Sequence, residues 1–153
     1  MTLKQWLDNG WLRPHQTTPE EIKNLFQIVD RDLKDACSDL SADWRFGIAY
    51  NAALKLCVIL LYSEGYEAER NLQHYRSIQA LPKILGAEKN DDAVYLDTCR
   101  AKRNTAEYDS VGVATDSDSD ELIDFVKSFK EEVLEYLKNK HPQLLASDSE
   151  KNE

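Results

Sequence analysis

Histidine, cysteine, glycine and proline are all scarce in this chain of 153 residues, and most of the familiar site signatures are missing. The sequence has no glycine-rich phosphate loop, no Gly-x-Ser-x-Gly elbow and no His-Glu-x-x-His zinc helix. Its 3 histidines are scattered, and its 3 cysteines lack the paired spacing of metal ligands. These absences predict that the protein has no metal site and no cofactor.

Long apolar runs are also absent. The longest apolar run extends only from Leu56 to Tyr62, whereas a membrane-spanning helix needs about 20 apolar residues. The N-terminus lacks the apolar stretch of a signal peptide. The cysteines lie in apolar helical contexts and are predicted to be buried, reduced thiols. We therefore expect no membrane association and a cytoplasmic location.

Acidic residues outnumber basic ones by 28 to 19, which gives a net charge of −9. This excess argues against a protein that binds nucleic acid or membrane surfaces nonspecifically, because such proteins are basic. The excess is unevenly spread: residues 116–153 contain 11 acidic and 5 basic residues. The rest of the chain is close to balanced.

Apolar residues recur at helical spacing through most of the chain, and this predicts an all-α, antiparallel bundle of four to five helices. Thr18 and Pro19 are typical of a helix start. Residues 1–16 suggest a short helix and a turn, and residues 109–119 a loop before the last helix. We expect one helical domain over residues 1–142 and a polar, disordered tail over residues 143–153.

The predicted helix between Ser41 and Gly65 is apolar on nearly every side, so it is either the centre of the bundle or half of a dimer seam. Arg45 and Asn51 are polar residues within it. Buried polar groups need partners, so these two indicate contact with another helix, an opposite subunit or a ligand. Contact within the bundle is the favoured interpretation.

Residues 97–109 contain a local positive cluster, formed by Arg100, Lys102 and Arg103. An arginine here could bind a phosphate in a bidentate manner, and Asn104 could orient an oxygen. Tyr108 lies four residues after Asn104 and would share its helix face. The alternative is that Arg103 pairs within its own helix and Tyr108 packs against the bundle.

Three segments together resemble a bacterial branch of the HEPN domain family. Residues 44–54 are similar to its Arg-Phe-x-x-Ala-Tyr-Asn-Ala-x-Leu stretch, and residues 100–109 to its Arg-x-x-Arg-Asn-x-x-x-Tyr-Asp segment. Between them, Gly65-Tyr66 and His74-Tyr75 are similar to its Gly-Tyr-Arg sequence and histidine pair. The order and spacing hold across roughly residues 17–140.

The resemblance implies a small helical bundle that forms a homodimer, with two copies of the site in one cleft. Many HEPN domains are ribonuclease toxins or RNA-processing modules, often paired with a nucleotidyltransferase antitoxin. By this resemblance Arg103 is the catalytic arginine and Asn104 its polar neighbour, while Arg100 and Lys102 would bind the phosphates of RNA.

The sequence departs from the family pattern at the motif histidine, since Tyr108 occupies the position where the spacing expects it. A tyrosine with a pKa near 10 is mostly protonated at neutral pH and is a poor base. His74 is a candidate accessory imidazole, with Arg45 and Asn51 as further accessory residues. Two functions stay open. One is a metal-independent endoribonuclease or toxin-antitoxin component that acts at a dimer cleft, and the other is a non-catalytic module that binds RNA, a nucleotide or a partner protein.

Overall fold

The computed structural model describes residues 1–108 and 110–146, apart from the side chains of Glu107 and Tyr108. Short 3-10 helices lie at Ala87–Lys89 and Pro142–Leu145. In chain order, the other elements are α1 (Leu3–Asp8), β1 (Leu12–Pro14), α2 (Pro19–Ala36), α3 (Ala42–Ser63), β2 (Tyr66–Ala68), α4 (Gln73–Gln79), α5 (Leu81–Leu85), α6 (Asn90–Tyr108) and α7 (Asp116–Lys140). The prediction of an all-α helical bundle is confirmed.

Helix α3 runs through the centre of the bundle, where α2, α6 and α7 pack around it. Within the described part of the chain, it is the one helix that is long and apolar enough to cross a membrane, but 72% of its most apolar window is buried inside the protein. The protein itself therefore covers α3 on nearly every side. Of the two explanations for its composition, the centre of the bundle is the correct one.

The helix starts follow from local capping. The hydroxyl groups of Thr18 and Ser41 accept hydrogen bonds from backbone amides in the first turns of α2 and α3. Helix α7 begins at Asp116, so the predicted loop to residue 119 was too long. The reason is a capping box, in which Thr115 and Asp118 each accept a hydrogen bond from the other's backbone amide. Asp118 thus belongs to the capped start of α7.

The N-terminal segment forms a small layer at one end of the bundle. The prediction of a short helix is confirmed by α1, but the expected turn leads into β1, which pairs antiparallel with β2 and places Leu12 opposite Ala68. Leu12 and Ala68 are buried in one apolar cluster with Trp6 of α1 and Leu61 of α3. A three-residue strand is too short to show an alternating pattern, so the sequence alone did not reveal it.

Two further boundaries differ from the sequence predictions. The folded domain continues through Pro142–Leu145, where Leu144 is buried against the bundle core, so the tail predicted to begin at residue 143 starts too early. Residues 147–153 lie outside the described residues. Cys57 and Cys99 are buried as predicted, whereas Cys37 is exposed because it caps the C-terminal end of α2.

Candidate functional site

The basic cluster of α6 is divided between two sides of the helix. Consecutive residues on an α-helix point about 100° apart, so neighbours in sequence face different partners. The Lys102 ammonium lies 3.1 Å from an Asp118 carboxylate oxygen and faces the start of α7. Arg100 and Asn104 instead line a cavity between α6 and α4. Lys102 therefore does not share the surface formed by Arg100 and Asn104.

This cavity has a volume of about 300 Å³ and combines cationic, polar and aromatic side chains. Asp97 lies at its margin and accepts a hydrogen bond of 2.8 Å from Nε of Arg100, which holds that guanidinium in place. The lining residues are Arg70, Leu72, Gln73, His74, Tyr75, Arg100 and Asn104. The structure thus brings His74 into the same cavity as two of the residues that the sequence selected on α6.

His74, which lines this cavity, has a clearly perturbed pKa. Burial and the positive charges of Arg103, Lys55 and Arg100 lower the pKa of its imidazole. Its Nδ1 lies 3.3 Å from the hydroxyl oxygen of Tyr50. Because the ordinary value is already about 6.5, a lowered pKa keeps His74 neutral at pH 7, and a neutral imidazole can accept a proton.

Tyr50 lies beneath the cavity and connects His74 with Arg103. The guanidinium carbon of Arg103 is 5.8 Å from the centre of the Tyr50 ring, within the range of a cation–π contact. Burial raises the pKa of the Tyr50 hydroxyl, which therefore stays protonated. Arg103 also donates from Nη1 to Oδ1 of Asn104 at 3.4 Å. Tyr50 thus holds a cationic and a neutral basic group close to the same cavity.

Arg45 makes its contacts at the start of α3. Its Nε donates to the carbonyl oxygen of Ala36 at 2.9 Å, and its guanidinium forms ion pairs with Asp116 and Asp120. These contacts connect the end of α2 to the start of α7. Arg45 therefore has a structural role and does not line the cavity.

Asn51 faces α2 rather than the cavity. Its Nδ2 donates to a carboxylate oxygen of the buried Asp32 at 2.7 Å. The interpretation that Arg45 and Asn51 contact neighbouring helices is thus the one the contacts support. The side chain of Tyr108, predicted as the third residue of the site, lies outside the described residues.

Tyr50, Arg70 and Tyr75 are site residues that the sequence did not indicate. Tyr50 belongs to the buried apolar surface of α3, and nothing local to it in the sequence indicates His74 as its partner. Tyr75 directly follows His74, and this adjacency was the available signal. In residues 1–108 and 110–146, no three His, Cys, Asp or Glu side chains form a group that could hold a metal ion.

The assembled site can bind an anion and accept a proton. Arg70 and Arg100 supply guanidinium groups that suit phosphate oxygens, and the neutral His74 supplies the proton acceptor. The chain was compared with protein-family models, curated proteins and solved structures, and none of them matches it.

Proposed function

We propose that this protein is a HEPN-like endoribonuclease that cleaves RNA without a metal ion, in the cavity between α4 and α6. The observation that carries the proposal is that a neutral imidazole, His74, shares one cavity with Arg100 and Asn104, close to the charge of Arg103. The HEPN assignment rests on the resemblance of the sequence. The chemistry rests on the contacts of these side chains.

In the proposed reaction, the 2′-oxygen of a ribose attacks the adjacent phosphorus and the bond to the 5′-oxygen of the next nucleotide breaks. His74 accepts the proton of the 2′-hydroxyl, which requires that Nδ1–H faces the oxygen of Tyr50 and that Nε2 is unprotonated. The 5′-oxygen takes a proton from the imidazolium or from water. The products are a 2′,3′-cyclic phosphate and a 5′-hydroxyl.

Arginine supplies the electrostatic part of this mechanism. The negative charge on the phosphate oxygens grows as the five-coordinate phosphorus forms, so a fixed cation stabilises the transition state more than the ground state. Arg103 has this role in the proposal, and Asn104 orients an oxygen. A phenol is protonated at neutral pH, so Tyr108 would be a poor base. With His74 as the base, the mechanism does not require Tyr108 to replace the motif histidine.

A non-catalytic role is the second candidate, and the small number of cations in the cavity favours it. Lys102 faces α7, and Arg100 is already paired with Asp97. A cavity of about 300 Å³ is at the lower limit for small-molecule sites and suits a single nucleotide or a short RNA segment. In this alternative the same residues bind an RNA, a nucleotide or a partner protein without turnover.

The proposal also includes a homodimer and a nucleotidyltransferase-type antitoxin as partner, both from the resemblance alone. The cytoplasmic location stays a proposal from the sequence. Because α3 is buried within its own bundle, it no longer supports a dimer seam, and a dimer would use another surface. Light scattering at micromolar concentration tests this part independently. A monomer would count against the dimer and leave the cavity chemistry unaffected.

The activity is tested with a labelled single-stranded RNA in the presence of a chelator. We expect cleavage by the wild-type protein, a loss of about 100- to 1,000-fold in Arg103→Ala and a loss of at least about 100-fold in His74→Ala. Lys102→Ala is the matched control. Lys102 is adjacent to Arg103 in the sequence, but its positive charge lies on a different side of α6. Circular dichroism verifies that each variant is folded.

Each outcome distinguishes between the candidates. Cleavage that survives Arg103→Ala contradicts the endoribonuclease proposal. Binding without turnover, weakened by Arg103→Ala but not by Lys102→Ala, identifies the non-catalytic module. Equal losses in Arg103→Ala and Lys102→Ala would mean that only total charge matters, and would refute a specific site.

A further inference from the structure

Aromatic rings and guanidinium groups alternate along the surface from β1 to α6. The guanidinium carbon of Arg76 lies 3.9 Å from the centre of the Trp11 ring and 5.9 Å from that of Tyr75. The guanidinium carbon of Arg100 also lies 5.9 Å from the Tyr75 ring. Tyr75 is therefore flanked by two arginines, one of which lines the cavity with it.

The two rings differ in how closely a cation covers them. Arg76 is in stacking contact with Trp11, but both arginines lie near the outer limit of about 6 Å from Tyr75. Tyr75 is only half-buried, and it lines the cavity. A planar group entering the cavity can therefore contact this ring, whereas the Trp11 ring already has Arg76 in stacking contact.

Leu72 adds an apolar contact at the same place. It lines the cavity although the residue is 61% exposed, and its backbone is left-handed, with φ 59°. Both features are unfavourable for a leucine, since most of its apolar surface stays in contact with water and its Cβ is crowded in this conformation. An apolar ligand surface lying against Leu72 would offset the first of these costs.

We propose that Tyr75 is a stacking platform for one unpaired nucleobase of RNA, with Leu72 as a further apolar contact. The proposal deepens the RNA-binding role proposed above and rests on it. A base stacked on Tyr75 would have its phosphates near Arg70 and Arg100, which line the same cavity. Bases within a duplex are already stacked on each other, so the ligand is single-stranded RNA.

The experiment uses a short single-stranded RNA with 2′-O-methyl groups, which cannot be cleaved through the 2′-oxygen. A 2-aminopurine is placed at each position in turn, because stacking on an aromatic ring quenches its fluorescence. We expect quenching at one position on binding to the wild-type protein. Tyr75→Ala should abolish that quenching and weaken binding about 5- to 150-fold, the range for loss of one stacked base.

Matched variants separate stacking from general damage. Tyr75→Phe and Tyr75→Trp keep an aromatic face and should retain the quenching, and Tyr75→Leu keeps bulk without a π-system and should lose it. The side chain of Trp44 is exposed and does not line the cavity, so Trp44→Ala should change neither the quenching nor the affinity. Leu72→Ser should weaken binding by less than Tyr75→Ala.

An RNA with one abasic site at the quenched position tests the contact without altering the protein. It should bind the wild-type protein as weakly as the intact RNA binds Tyr75→Ala, and combining the two changes should add little further loss. Equal binding of abasic and intact RNA, or no quenching at any position, would overturn the stacking role while leaving the proposed function intact. No RNA binding by the wild-type protein would instead overturn the proposed function.

Discussion

Asn51→Ala tests whether Asn51 stabilises the bundle or serves the site. Its Nδ2 donates to Oδ2 of Asp32 at 2.7 Å, and Arg31 donates to Oδ1 of the same carboxylate at 3.2 and 3.0 Å. Asp32 is only 5% exposed, so water cannot readily replace a lost donor. Removing the amide therefore leaves a buried carboxylate with one oxygen unpaired.

The expected cost follows from the kind of hydrogen bond that is lost. A hydrogen bond to a charged group contributes about 1.5–3 kcal/mol to the free energy of unfolding. For a domain of this size, each kcal/mol shifts Tm by about 2–4 °C, so Asn51→Ala should lower Tm by about 3–12 °C. The double variant Asp32→Ala/Asn51→Ala should be less destabilised than the sum of the two single variants, because it leaves no buried charge unpaired.

Urea unfolding followed by circular dichroism measures the loss, with Asn24→Ala as the matched control. Asn24→Ala makes the same chemical change at an exposed position of α2. Alanine is a better helix former than asparagine, and the free energy of unfolding should change by less than about 0.5 kcal/mol. A loss below about 0.5 kcal/mol in Asn51→Ala would refute the structural role. Weakened RNA binding by Asn51→Ala with unchanged stability would indicate that Asn51 serves the site.

Two further predictions concern pH. Burial and the charges of Arg103, Lys55 and Arg100 lower the pKa of His74, so the cleavage rate should fall only when the pH drops below the ordinary imidazole range. Lys55→Gln removes one of these charges and raises the pKa of His74, so the acidic limb of the pH–rate profile should move to higher pH. Lys127→Gln, at an exposed position of α7, should leave that limb in place. An NMR titration of the imidazole checks the same shift without turnover, and an unmoved limb in Lys55→Gln would contradict it. The pKa of Asp43 is lowered because its carboxylate accepts backbone hydrogen bonds from Ala114 and Gly112, so its stabilisation is present above about pH 4 and is lost as the pH falls through the lowered pKa. Asp43→Asn should therefore lower the urea midpoint at pH 7 and converge with the wild-type protein near pH 2; an equal difference at both pH values would refute this account.

The helices could be predicted from the sequence because their signals are local. A cap such as Thr18 or Ser41 acts within its own first turn, and the apolar period of a long helix is complete within that helix. The start of α7 and the two short strands were predicted less accurately. The capping box at Thr115 was overlooked, and the β1–β2 pair joins segments that are far apart in the chain.

The candidate site divides in the same way. Arg100, Arg103 and Asn104 were selected because they are neighbours in the sequence, but the same reasoning included Lys102, which faces α7. A one-residue step rotates a side chain about 100° around the helix, and only the packing of α6 against its neighbours decides which side faces the cavity. Arg45 and Asn51 could likewise be recognised in the sequence as polar residues in an apolar helix. Their partners could not, because these lie on other helices.

The sequence by itself determined that the chain forms a helical bundle, that α3 is its most apolar element and that a basic cluster lies near the end of α6. These properties depend on composition and on spacing within one helix. Only the tertiary structure decided that His74 lies against Tyr50, close to Arg103, with Tyr75 in the same cavity. The physical reason is that α3, α4 and α6 meet through contacts between residues distant in sequence, and the pKa of His74 depends on the burial and charges that this packing creates.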